Sequence, residues 1–517
     1  MVNQIQAEIT IEGGKISRIK PANNEVIIIS ENTRTVYPGH YALPGFIDSH
    51  AHVAAFGKEL NGLSLAGCKS AEECLEAAKN HNQLLKGWLI GRGWDQEKWS
   101  DKNFPDKTSL DDAFPSTPVY FIRIDGHAAW CNSKALQLAG ISGNASSPLG
   151  GEILLDKHGN PTGILIDNAM KLITDILPKY EPDDTKKFII DALNVCAASG
   201  LTEVYDLDLN PDLVEILIDL EKEKRLPIKI HSYLRGQNDE WLAKGLSPYR
   251  GEYFSIDGVK FYADGALGSW GAALLKPYTD KPESTGLMLI NKIDLYSKAE
   301  KALNMGFGIA THAIGDAACR MVIDEYSKLR KAGFRSDEHQ LRLEHMQMVH
   351  EDDLKKMCEN DIIASVQPIH CCSDASGLVA KRLGDKRNSI LYPWKSVLDF
   401  GGKLIAGSDF PIESHNPLTG INSFINRIPF NQSLPFEFQE AISLSQTFDA
   451  YCETPRQNSL TDKSSAEISL GVSADFVVLK SNIFNFNNSI IPTDLVAATY
   501  CNGKNVSCVR QIDIFRK

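Results

Sequence analysis

In the run Pro44-Gly-Phe-Ile-Asp-Ser-His-Ala-His52, the residues Asp48, His50 and His52 are spaced two apart. On an extended strand such residues share a face, so a carboxylate and two imidazoles point the same way. Neutral imidazole nitrogens are the usual non-thiolate ligands of zinc, and two at this spacing can hold one divalent metal. The competing reading is a pair of core histidines satisfied by hydrogen bonds. Three further strand-like runs weigh against it: His312 closes Gly306-Phe-Gly-Ile-Ala-Thr-His312, His345 closes Leu341-Arg-Leu-Glu-His345, and Asp409 closes Lys403-Leu-Ile-Ala-Gly-Ser-Asp409. Lys260 lies inside Gly258-Val-Lys-Phe-Tyr-Ala-Asp264. An ammonium on a buried strand is costly, so this lysine is expected to shift its pKa or be modified.

Residues this far apart in the chain need a frame that gathers strand ends. Strand candidates are 43–52, 201–207, 228–234, 258–264, 306–313, 341–346, 362–368 and 403–410, with helix-like runs such as 183–198, 317–332 and 351–359 between them. Eight strands alternating with helices predict an α/β fold, a (β/α)8 TIM-like barrel. The metal-competent residues then fall at the carboxyl ends of strands one, four, five, six and eight, the face where barrel enzymes keep their active sites. The gap between the first two strands is too long for one βα unit. A large insertion at about 60–180 is therefore expected after strand one, with a strand of its own at 117–124. Short alternating runs at both ends predict a small β-sandwich built from 1–42 plus 466–517, around a barrel spanning 43–465.

Composition fits this frame and narrows the class. The 517 residues are 43% hydrophobic and 23% charged, with 54 Lys and Arg against 66 Asp and Glu, a net charge of −12. Nothing in that balance favours nucleic acid or an anionic membrane as partner. A small-molecule substrate is expected instead, with the composite β domain offering a surface for a homodimer. No signal-peptide profile and no bilayer-length apolar run occur. The eleven cysteines are scattered and form no CxxC pair, which fits a reducing cytoplasm and packing roles. No nucleophile-elbow serine and no phosphate-binding loop is present.

The pattern of His-x-His on strand one, Lys on four, His on five and six, and Asp on eight resembles the amidohydrolase superfamily. Within it the chain is similar to the YtcJ-like, amidohydrolase-3 branch, which includes N-substituted formamide deformylases. Four segments carry the finer likeness: Gly91-Arg-Gly-Trp-Asp95; Asp125-Gly-His-Ala-Ala-Trp130 with Asn132-Ser-Lys-Ala-Leu136; Pro161-Thr-Gly-Ile-Leu165; and Lys260-Phe-Tyr-Ala-Asp-Gly-Ala-Leu-Gly268. The resemblance implies one or two divalent ions, zinc first, with Mn2+, Fe2+ or Co2+ as alternatives. His50, His52 and Asp409 would hold the more buried ion, and His312 and His345 the second. Lys260, carboxylated by CO2, would bridge them; the alternative is an ordinary lysine salt-bridged to Asp264 or Asp409 in a one-metal site.

The implied reaction is hydrolysis of an amide, N-formyl or N-acyl C–N bond by metal-activated water, with Asp409 as acid–base group. A one-metal deaminase and a non-catalytic metal-binding barrel are the alternatives. Trp94 and His127, in the insertion, and His370, after strand seven, are candidate substrate contacts. Glu344 is expected to face the helices. Glu413 is placed on the pocket rim, Cys371 and Cys372 are read as buried packing, and His231 belongs to no constellation.

Overall fold

The computed structural model describes residues 4–30, 33–81, 83–124, 126–143, 145–460, 466–486 and 489–507. Asp125 and parts of the expected sandwich segments 1–42 and 466–517 lie outside them. Eight parallel strands form one sheet: β1 (Phe46–Ala51), β2 (Leu201–Leu209), β3 (Lys229–Arg235), β4 (Phe254–Tyr262), β5 (Gly308–Ala313), β6 (Leu341–His345), β7 (Ile363–Val366) and β8 (Leu404–Ala406). They follow one another in order, and β8 returns to β1. Asp409 N–H donates to His50 O at 2.7 Å, and His52 N–H donates to Phe410 O at 2.9 Å, nearly closing the ring. Almost every residue on these strands is buried, as expected where helices cover the outer face and side chains fill the inside.

The last strand is shorter than the run 403–410 predicted. It ends at Ala406, and the chain then turns sharply enough that Asp409 has φ +62°. Asp48 explains the turn. Its carboxylate accepts from Ser408 N–H at 3.1 Å and from the Ser408 hydroxyl at 2.6 Å, tying the end of β8 across to β1.

Toward the amino ends of the strands lies a second set of buried charges. Glu203 on β2 meets Arg456 at 2.6 Å and His231 on β3 at 3.2 Å, and Lys229 lies 2.7 Å from Asp475. His231 Nδ1 is 3.5 Å from Asp257 on β4. Three cations thus face three anions away from water, which is how buried charge is tolerated. Burial alone would lower the His231 pKa, but the carboxylates of Asp257 and Glu203 outweigh it and raise it to about 9. With an unfolded value of 6.5, the stabilisation is fully present below about pH 6.5 and is lost as pH rises through 9. It amounts to about 3 kcal/mol. His231→Gln is therefore expected to flatten the decline in stability between pH 6.5 and 9 in denaturant melts; an unchanged slope would refute the charged form.

The terminal segments form two four-stranded sheets. One runs Lys15–Pro21, Ala7–Glu12, Glu25–Ser30, Thr33–Pro38; the other runs Lys504–Asn505, Val496–Cys501, Phe476–Leu479, Tyr41–Pro44. Ile9, Ile28, Ala42, Phe476, Val478 and Tyr500 belong to one shared core, so chain from both ends closes on a single apolar centre. No helix among the described residues is long and apolar enough to cross a membrane.

Residues Ala54–Phe188 form a separate compact unit. Its six-stranded sheet runs Gly151–Leu155, Pro161–Asp167, Ala128–Cys131, Val119–Arg123, Leu89–Trp94, Leu63–Ser64. Alternate residues serve opposite faces: Val119 and Phe121 join one core with Trp94 and Trp130, while Tyr120 joins another with Cys131 and Leu165.

Candidate metal centre

The carboxyl ends of β1, β5 and β6 and the turn after β8 bring their polar side chains together. Asp409 is the hub. Its Oδ1 lies 3.0 Å from His52 Nε2 and 3.6 Å from His50 Nε2, and its Oδ2 lies 3.2 Å from His370 Nε2. The ring centres of His50 and His345 are 4.7 Å apart, and those of His345 and His312 are 4.4 Å apart. Two groups are compact enough to hold an ion: His50, His52 and Asp409, and His345, His370 and Asp409.

Ligation needs neutral imidazoles and an ionised carboxylate; His50, His312, His345 and Asp409 are held in those forms, whereas at His52 the lowering effect of burial is outweighed by Asp409 and the pKa is raised. Burial, aided by the charge of Lys260, pushes His50 down to about 4 and His312 to about 3. His345 is held well below its usual range by burial and its neighbour His312. Burial would raise Asp409, but its hydrogen bonds with His370 and His52 prevail and keep the carboxyl well below the ordinary range. The same bonds, with Glu413, lift His370 to about 10 against the opposing effect of burial.

A divalent ion fits these residues on a further observation. His312 Nε2 is buried and has no hydrogen-bond partner; its nearest carboxylate, Asp264, is 3.5 Å away. An unpaired imidazole nitrogen costs free energy unless something fills the position, and a cation beside His345 would do so. Lys260 is 1% exposed, and burial lowers its pKa. Its Nζ lies 5.3 Å from the centre of the Tyr262 ring and makes no ion pair among the described residues. The salt bridge to Asp264 or Asp409 is not formed. Asp264 is engaged instead with Ala273, Ile314 and Gly315 N–H at 2.8–3.0 Å, pinning the loops after β4 and β5.

Two expected roles change. Trp94 is fully buried, its indole N–H donates to Phe121 O at 2.9 Å, and it packs on Trp130 in the core of the insertion. It has no surface to wall a pocket. Glu344 does not face the helices: it is fully buried, with Oε2 2.6 Å from His50 Nδ1 and Oε1 accepting from Arg342 Nε at 2.8 Å. Strand alternation would put Glu344 and His345 on opposite faces. The left-handed backbone at His345, φ +70°, and at Met346, φ +48°, breaks it.

His127 is exposed and its Nδ1 lies 2.7 Å from Asp167 Oδ1. His370 sits in the first turn of the helix Pro368–Asp374, which follows β7, and its other nitrogen is 3.4 Å from Glu413. Cys371 and Cys372 are buried without a disulfide. The sequence reading missed Gln367, whose Oε1 is 2.8 Å from His345 Nδ1, and Arg342. A ligand histidine needs a partner for its second nitrogen, and that requirement is the signal that could have found them.

Eight parallel strands thus gather histidines and an aspartate at their carboxyl ends. The model of the Amidohydrolase family matches residues 38–507, and the chain belongs to that family. It is 32% identical to a putative amidohydrolase, YtcJ, of Bacillus subtilis over 90% of this chain and 89% of the relative. It is 24% identical to the N-substituted formamide deformylase of Arthrobacter pascens over 90% and 88%. Among solved structures, an uncharacterized metal-dependent hydrolase from Pyrococcus furiosus superposes with a TM-score of 0.74 at 25% identity, over 93% of this chain and 99% of that one.

Proposed function

We propose that this protein is a divalent-metal-dependent amidohydrolase that cleaves a non-peptide C–N bond, with N-formyl and N-acyl amines as the substrate class. The observation that carries the proposal is Asp409, an ionised carboxylate within 3.6 Å of His50 and His52 at the end of β1 and of His370 on the helix after β7. The named relatives, a putative amidohydrolase and a formamide deformylase, support the bond type. His50, His52 and Asp409 would hold one ion, and His312 and His345 a second. Lys260 would join them as a carbamate: its neutral Nζ bonds to the carbon of CO2 and one amine proton leaves. Zinc is the first expectation, with Mn2+, Fe2+ and Co2+ also suited to this donor set.

When bound, the metal lowers the pKa of water toward neutrality and polarises the scissile carbonyl. Asp409 accepts the water proton on a carboxylate oxygen and returns it to the leaving nitrogen, which departs as amine while the acyl group leaves as carboxylate. His370 N–H, beside Asp409 Oδ2 and backed by Glu413, orients that carboxylate and meets the substrate from the β7 side.

A panel of N-formyl and N-acyl amines, assayed for both products, tests the reading. Carboxylate plus amine is the expected outcome, lost on chelation and regained with zinc or manganese and bicarbonate. Release of ammonia would mark a deaminase instead. A protein that takes up no divalent metal and turns over none of the panel would overturn the enzyme reading.

A further inference from the structure

Among the histidines of the centre, His50 and His370 each turn Nδ1 toward a carboxylate, and His50 does so at the shorter distance. Its Nδ1 meets a carboxylate, Glu344 Oε2, at 2.6 Å inside the barrel, whereas His345 Nδ1 meets a neutral amide, Gln367 Oε1, at 2.8 Å. Glu344 is fixed in turn by Arg342. The Arg342 Nε donates to Oε1 at 2.8 Å, and its Nη2 donates to Ser49 O and to Ser365 Oγ. The guanidinium lies over the rings of Tyr205 and Tyr233, 5.1 and 5.0 Å from their centres. Arg342 is 1% exposed and Glu344 is 0% exposed. Such a buried pair is poor evidence of stabilisation, because desolvation offsets most of its attraction. A bare structural role therefore explains little, and the contact with His50 gives the pair a purpose.

We propose that Glu344 is a positioning residue for His50, locking it as the Nδ1–H tautomer so that Nε2 alone is offered as a metal donor. This rests on the reading of His50 as a ligand. A carboxylate can only accept at Nδ1, so the ring cannot turn over or swap its proton to Nε2. Its negative charge also makes Nε2 a stronger donor. Gln367 imposes less on His345, because an amide can present oxygen or NH2. The ion held by His50, His52 and Asp409 is thereby the one bound first and most tightly.

The test compares wild type, Glu344→Gln and the double variant Arg342→Met/Glu344→Gln, the last leaving no unpaired buried charge should the single variant fold poorly. Zinc affinity is measured by competition with a chromophoric chelator, and the Co2+-loaded proteins are compared by visible absorption. Melting of the metal-free proteins checks the fold. Glu344→Gln and the double variant are expected to bind the first ion about 10–100-fold more weakly, with a displaced Co2+ band and a double variant that melts near wild type. A folded double variant with wild-type zinc affinity and a wild-type Co2+ spectrum would overturn the proposal. A wild-type protein that binds no metal would overturn the ligand assignment, and this proposal with it.

Discussion

Asp409→Asn is expected to lower kcat by about 1,000-fold or more while the protein keeps its zinc. The substitution preserves volume and leaves an oxygen facing His52 and His50, which stand 3.0 and 3.6 Å from the carboxylate. What it removes is the capacity to take up a proton and hand it on, a contribution of about 10²–10⁴ in rate. It also removes the anion that pairs with His370 at 3.2 Å, so the orienting contact loosens along with the chemistry. Zinc content by elemental analysis and kcat on the best substrate of the panel together decide the matter. Near-normal turnover would take Asp409 out of the acid–base role.

Lys260→Met is expected to move stability and function in opposite directions. The side chain is buried without an ion pair among the described residues, and its pKa is lowered by that burial. As a plain amine it is a liability in the barrel, and an unbranched apolar side chain of similar volume should leave the metal-free protein at least as stable. As the proposed carbamate it would offer two oxygens to the metal pair, and losing them should weaken the second ion by about 100-fold. The expected result is one zinc per chain instead of two, turnover near background, and a metal-free melting temperature no lower than wild type. A variant that binds two ions and turns over normally would remove Lys260 from the centre.

Much of the frame was legible in the chain. β1, β4 and β5 are largely apolar runs with residues of costly polarity near their carboxyl ends, and β6 sets Arg342, Glu344 and His345 beside two leucines; such residues on buried strands have few explanations. His50 and His52 were readable because a two-residue spacing on a strand fixes the face. Glu344 was not, because the left-handed turn at His345 reverses the face and has no glycine to announce it. Asp409 was placed on a strand that in fact ends at Ala406, since the tie from Asp48 to Ser408 joins residues distant in the chain. Trp94 looked like a pocket wall because a tryptophan's type does not reveal which side of its sheet is covered. His231 looked isolated because its partners, Glu203 and Asp257, come from neighbouring strands that only the barrel brings together.

The hydrogen bonds that Ser408 donates to Asp48 span 360 residues, and they bear on the order of events in biosynthesis. The His-x-His pair leaves the ribosome long before the carboxylate that it meets in the folded chain. At about 5–20 residues per second the first two ligands wait about 20 to 70 s for Asp409. The insertion can fold as its own unit during that interval, while the barrel, dependent on its first and last strands meeting, must close late. The proposed ion site can therefore be completed only after residue 409 has emerged, and a chain truncated before it would carry a histidine pair without that carboxylate.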